Sequence, residues 1–135
     1  MRARNRKHRQ KGFTLMEMLV VIAITMILLG IAVPAYNRTI IRARESVLKQ
    51  DLFTLRSVIS QYTDDKQKAP QSLADLVSAG YLRQIPADPF TSSASSWQVQ
   101  QEDVLESVDQ REPGITDVRS GATQISSEGT AYKEW

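Results

Sequence analysis

From Phe13 to Ala35 the chain is apolar on every helical face, 23 residues in which Glu17 is the only charge. At ~1.5 Å per residue a helix of that length reaches roughly 35 Å, enough to cross a hydrocarbon core about 30 Å thick. Beyond Ala35 the apolar positions thin out. Ile41, Leu48, Leu52, Leu55, Ile59 and Tyr62 recur at spacings of 7, 4, 3, 4 and 3 residues, one face of an amphipathic helix. Arg42, Arg44, Lys49, Asp51 and Arg56 fall largely off that stripe. Together the two stretches predict one long helix from Phe13 to about Asp64, in lipid first and then packed on a soluble head. Pro34 interrupts it, because proline removes a backbone hydrogen bond and crowds the preceding turn. With Gly30 four residues earlier, a bend or a loosened segment is expected there.

The polar run Asp64-Asp65-Lys66-Gln67-Lys68-Ala69-Pro70 ends that helix. A short second helix is predicted from Ser72 to Ala79, with Leu73, Leu76 and Val77 on its apolar face and Gly80 as its stop. Pro86 and Pro89 forbid regular structure between Ile85 and Phe90 and stiffen the crossing. Trp97-Gln98-Val99-Gln100 alternates apolar and polar side chains, a strand signal, and Ile115–Arg119 is its best antiparallel partner. The acidic excursion Glu102–Gly114 between them has room for a short strand near Val104–Val108. The fold class is α+β: a long N-terminal helix packed on a small antiparallel sheet of two or three strands, with a short second helix. The expected divisions are a leader (1–12), a membrane helix (13–35), its amphipathic continuation (36–64) and a small head (65–135).

Charge changes this picture once it is placed along the chain. The protein has 135 residues, a net charge of +2 and a pI near 9.0. Arg2, Arg4, Arg6, Lys7, Arg9 and Lys11 are 6 of its 17 bases, and the leader has no acid. The remainder therefore carries 11 bases against 15 acids, a net charge near −4. A basic protein suggests a nucleic-acid partner; this one does not, because its positive charge is concentrated ahead of an apolar segment. There it reads as a topology determinant that stays cytoplasmic. Cysteine is absent, and the single histidine, His8, lies in the leader. The rest of the chain offers no thiolate, no Ser-His-Asp arrangement and no His-based zinc site. No phosphate loop or dinucleotide fingerprint is present either, so an enzyme is not expected.

Glu17 is the residue that a plain membrane anchor leaves unexplained. A carboxylate inside a membrane helix costs about 2.5–3.5 kcal/mol on insertion scales, and such residues usually have a partner. A secretory signal peptide fits no better, since the apolar run is too long and no Ala-x-Ala site follows it. From Lys11 to about Tyr36, Lys11-Gly12-Phe13-Thr14-Leu15-Met16-Glu17-Met18-Leu19-Val20-Val21-Ile22-Ala23-Ile24 resembles the N-terminal signal of type IV pilins and type II secretion pseudopilins. The resemblance implies cleavage by a prepilin peptidase between Gly12 and Phe13 and methylation of the new Phe13 amine. It makes Glu17 the acid at the fifth position of the processed chain and Pro34 a second family landmark. Glu17 then has two readings: partner of the Phe13 amine of a neighbouring subunit, or a cap on its own helix N-terminus.

A second stretch narrows the resemblance. Gly80-Tyr81-Leu82 and Pro86-Ala87-Asp88-Pro89-Phe90 resemble the head of the major pseudopilin of type II secretion, with Phe90 where that family has tryptophan. The family's C-terminal loop binds calcium ahead of a terminal tryptophan, and Trp135 fits. The candidate ligands here are Asp117, Ser120, Thr123 and Glu128, but the family's Ala-Asp-Gly is replaced by Ala122-Thr123-Gln124 and its later aspartates are missing. An ordered Gly/Ser loop without metal is the competing reading, and no other cofactor is expected. The resemblance implies a filament subunit that assembles with itself through its N-terminal helix. Further implied partners are the prepilin peptidase, minor pseudopilins and an inner-membrane assembly platform. The protein is expected to cross the inner membrane once, leader cytoplasmic and head periplasmic. A type IV pilin for adhesion, motility or DNA uptake is the alternative, and a monomeric membrane-anchored binding module is the reading from a different class.

Overall fold

The computed structural model describes residues 12–101 and 113–135. Among them the order is α1 (Leu15–Lys66), α2 (Leu73–Ser78), β1 (Gln98–Gln101), β2 (Ile115–Arg119) and a closing 3-10 turn at Tyr132–Glu134. This is the expected α+β, pilin-like arrangement. The basic leader up to Lys11 and the strand expected near Val104–Val108 lie outside the described residues. The chain divides into two compact units between Arg38 and Thr39, a little beyond the boundary expected after Ala35.

In the first unit, Thr14 starts the helix. Its Oγ1 accepts the backbone N–H of Glu17 at 3.2 Å, satisfying one of the free donors of the first turn. Thr14-x-x-Glu17 has the sequence order of a capping box. The single long helix expected through Pro34 is present, α1 being helical from Leu15 to Lys66. Proline lacks one N–H, so only the Gly30 carbonyl loses its partner four residues on, and the turns on either side keep theirs. The apolar stretch of α1 is long enough to cross a membrane, and none of it is buried among the described residues. Apolar side chains on all sides with nothing to cover them call for lipid or for other helices.

The second unit is built on one stripe of α1. Leu48, Leu52, Leu55 and Ile59 are at most 3% exposed and form a core with Leu73, Leu76, Ile115, Val118 and Tyr132. The expected first member of the stripe, Ile41, is 43% exposed, and Glu45 is buried in its stead at 5% exposure. Beyond the stripe, α1 ends where Gln67 adopts a positive φ of 54° and donates its side-chain amide to the Asp64 carbonyl at 2.6 Å. The short helix α2 is led in by Asp75, whose carboxylate accepts the backbone N–H groups of Gln71 and Ser72, each at 2.9 Å. Gly80, with φ +83°, reverses the chain so that the Tyr81 and Leu82 N–H groups both return to the Leu76 carbonyl.

β1 and β2 pair antiparallel, Gln98 opposite Arg119 and Val99 opposite Val118, with the register shifting between Gln100 and Gln101. Only β2 reaches the core, through Ile115 and Val118; every residue of β1 is exposed. The expected sheet covering of α1 is thus one strand deep at the contact. The Pro86–Phe90 corner fixes the other end of β2. Asp88 is fully buried there and accepts hydrogen bonds from the Phe90 N–H at 2.8 Å and the Ser120 hydroxyl at 2.5 Å. Trp97 closes the corner by donating its indole N–H to the Pro86 carbonyl at 2.8 Å.

The packing sets an order of sensitivities. Leu55→Ala should lose about 2–5 kcal/mol, whereas Phe53→Ala, at a position 69% exposed on the same helix, should stay within about 0.5 kcal/mol. Gly121→Ala should also destabilise by roughly 1–3 kcal/mol, because its Cβ would lie 2.0 Å from the Ser96 carbonyl oxygen. Urea unfolding of the detergent-solubilised chain, followed by tryptophan fluorescence, ranks the three.

Candidate assembly and tail-closure sites

Gly12 and Phe13 precede α1 in non-helical, exposed backbone, with Phe13 78% exposed. The bond between them is therefore not locked into helix hydrogen bonding. Glu17 lies in the first turn of α1. Its backbone N–H is engaged by Thr14, and no side chain among the described residues pairs with its exposed carboxylate. Thr14 caps this helix start through its hydroxyl, and the Glu17 carboxylate stands exposed in the first turn, a place open to both readings. Pro34 sits at the C-terminal end of the exposed apolar stretch.

The four candidate metal ligands do not converge. Asp117 Oδ1 takes the Arg56 Nε at 2.7 Å and the Val118 N–H at 2.8 Å, with Arg119 Nε 3.8 Å from its other oxygen. Glu128 pairs with Lys49 Nζ at 2.7 Å. Lys49 and Arg56 are seven residues apart on α1, about 10 Å along its axis, so the two carboxylates are held at different levels. Ser120 is fully buried against Asp88, and Thr123 is exposed. Among the described residues no three of His, Cys, Asp and Glu are grouped as a metal site would need. Calcium takes 6–8 oxygen ligands. These residues do not fit it.

What holds the tail is a residue the sequence reading passed over. Glu45 accepts the Ser127 N–H at 2.6 Å, the Ser127 hydroxyl at 2.5 Å and the Tyr132 hydroxyl at 2.9 Å. The loop is shaped to offer these donors. Gly129, at φ +87°, closes a turn back onto the Ser126 carbonyl, and the Ser126 hydroxyl accepts the N–H groups of Glu128 and Thr130. Tyr132 is 1% exposed, stacked on Phe90 at 4.0 Å and met edge-on by Trp135 at 5.2 Å. One helical turn after Glu45, the Lys49 ammonium lies 4.5 Å from the Trp135 ring centre while it pairs with Glu128. That ion pair is about half exposed and is worth roughly 0–1 kcal/mol. The stronger hold is the carboxylate. A signal for it was present: Glu45 is four residues after Ile41 and three before Leu48, in phase with the apolar stripe.

The two titrating partners give the closure a working range. Burial pushes the Glu45 carboxyl up, but the Ser127 and Tyr132 hydrogen bonds and the Lys49 charge outweigh it, and the net shift is below the ordinary 4.5. Burial and the Glu45 carboxylate push the Tyr132 phenol up to about 12. A depressed carboxyl contributes stability above its unfolded value and loses it as pH falls through the folded one. A raised phenol contributes stability below pH ~10 and loses it as pH rises towards 12. Asp51 acts against the acid limb, since burial and the Asp88 charge raise its carboxyl. The difference between wild type and Glu45→Gln isolates Glu45: about 1–3 kcal/mol near neutral pH, shrinking below pH 4.5. Melting of both proteins from pH 3 to 8 measures it, and a gap that does not change with pH contradicts the assignment.

Comparison with known proteins bears on the whole chain. Residues 7–33 match the family model of the prokaryotic N-terminal methylation motif. The type II secretion system core protein G of Klebsiella pneumoniae is 34% identical over 100 residues, 62% of this chain and 71% of that protein. The protein of the same name from Klebsiella michiganensis is 30% identical over 131 residues, 83% of this chain and 92% of that one. The type IV major fimbrial protein FimA of Dichelobacter nodosus is 38% identical over 65 residues, 48% of this chain and 41% of that protein. No solved structure matches. With an N-terminal methylation motif, a pilin-like α+β fold and likeness running through the head, the chain belongs to the type II secretion system core protein G family of pseudopilins.

Proposed function

We propose that this protein is the structural filament subunit of a type II protein secretion system, assembling through its N-terminal helix to help export folded proteins. The observation that carries this reading is the extent of likeness. The match to a core protein G takes in 83% of this chain, head included, whereas the match to a pilin takes in 48%. A pilus subunit remains the second reading, favoured only by the shared N-terminal chemistry. As a pseudopilin the chain is a membrane-anchored assembly protein and has no catalytic task.

The finer steps follow from the first unit. Cleavage between Gly12 and Phe13 by a prepilin peptidase would remove the bases of the leader and leave a cationic amine, then methylated, at the start of α1. That amine answers the outward carboxylate of Glu17 on a neighbouring subunit, and an apolar bundle penalises any register in which the pair is broken. Pro34 belongs to the same assembling segment. A basic leader that stays cytoplasmic supports a head on the periplasmic side of the inner membrane, where minor pseudopilins and an assembly platform would be further partners.

Three measurements test this. Deleting the gene should deplete folded proteins from the culture medium and leave surface pili unchanged; the reverse result supports the pilus reading. Mass spectrometry of the assembled protein should find an N-terminus at methylated Phe13, and Gly12→Leu should leave the leader attached. Glu17→Val should be processed normally yet fail to form filaments that crosslink in cells. Filaments at wild-type levels would overturn the pairing with Phe13.

A further inference from the structure

We infer that the C-terminal loop of this chain is closed by two charged side chains of α1, Glu45 and Lys49, in the role that a bound divalent cation would otherwise fill. The geometry rests on polarity. A cation is held by oxygen lone pairs aimed at a common centre. At Glu45 the arrangement is inverted: the Ser127 N–H, the Ser127 hydroxyl and the Tyr132 hydroxyl are donors aimed at a carboxylate that the helix brings to them. Ser127 spends both its N–H and its hydroxyl proton on the carboxylate, which orients this segment by its donors. The positive charge near the loop comes from Lys49, which takes Glu128 at 2.7 Å and sits against the face of Trp135.

Several other oxygens of the region are engaged within the protein. The Ser126 hydroxyl holds the Glu128 and Thr130 N–H groups, and Thr130 Oγ1 accepts the Trp135 indole N–H at 2.7 Å. Asp117 and Ser120 are tied to Arg56 and Asp88. Glu45 and Lys49 stand one turn apart on one face of α1, so a single helical turn supplies both the anion and the cation of the closure. The remaining charged group at this recess is Arg42, one turn before Glu45.

Hydrogen exchange of the full processed chain in detergent micelles tests the inference. Segment 124–135 should exchange at the same rate in millimolar calcium and in excess chelator. Glu45→Gln should speed its exchange at least ~10-fold and Lys49→Met about 3-fold, while α2 (Leu73–Ser78) is unchanged. Tyr132→Phe keeps the ring against Phe90 and removes one donor, so it reads the same contact if Glu45→Gln does not fold. Slower exchange or a melting point several degrees higher in calcium would falsify the inference. So would a segment whose exchange neither Glu45→Gln nor Tyr132→Phe alters.

Discussion

One helix has to satisfy two solvents, and the rest of the structure follows from that constraint. The first part of α1 is apolar all round and finds no cover among the described residues. The second part is apolar along one stripe, and the head exists to cover it. Apolar burial contributes about 1.5–3 kcal/mol for each large side chain. Leu48, Leu52, Leu55 and Ile59 therefore decide where α2, β2 and the tail must lie, since these are the elements that bring Leu76, Val118 and Tyr132 against them. A two-stranded sheet would be marginal alone. Here it is a lid on a helix.

The same helix carries two carboxylates with opposite outcomes. Glu45 is buried and its oxygens are met by three donors from the tail of the same chain. Glu17 is exposed, and its carboxylate has no partner among the described residues. A buried charge that is paired rigidifies a domain; a charge in an apolar segment that is not paired asks for a partner from outside. The difference between these two glutamates is why the proposed assembly contact is placed at Glu17 and the tail closure at Glu45.

The legible parts of the sequence were those where periodicity and chemistry agree. The run from Leu48 to Ile59 gave the core face of α1, and the alternation at Trp97–Gln100 with Ile115–Arg119 gave the strand pair and its direction. Gly12, Phe13 and Glu17 stood out because one charge in 23 apolar residues is conspicuous. Ile41 is expected on the core face and Glu45 goes unremarked for one reason: a hydropathy stripe ranks each side chain alone, and a glutamate becomes a core residue only when donors 82 and 87 residues away arrive to meet it. Pro34 costs α1 one backbone hydrogen bond, and the long helix expected through it runs unbroken over 52 residues. The candidate metal ligands are not brought together for a related reason. Asp117 and Glu128 are close in sequence, but Arg56 and Lys49 hold them at different levels of α1.

Closing the tail with side chains of α1 also places the closure inside the core. Leu48 lies between Glu45 and Lys49 in sequence and is fully buried, as is nearly all of Tyr132. The phenol that donates to Glu45 belongs to the ring that stacks on Phe90 and joins the Leu48–Ile59 cluster. Polar satisfaction and apolar packing are therefore provided by one residue. An isolated surface ion pair at this place would add little. The Glu45 carboxylate instead dictates how Tyr132 sits, because a buried phenol left without an acceptor loses more than the bond is worth. The tail is in this sense the third covering element of α1, equal to α2 and β2, and its docking turns on a glutamate that hydropathy alone assigns to the surface.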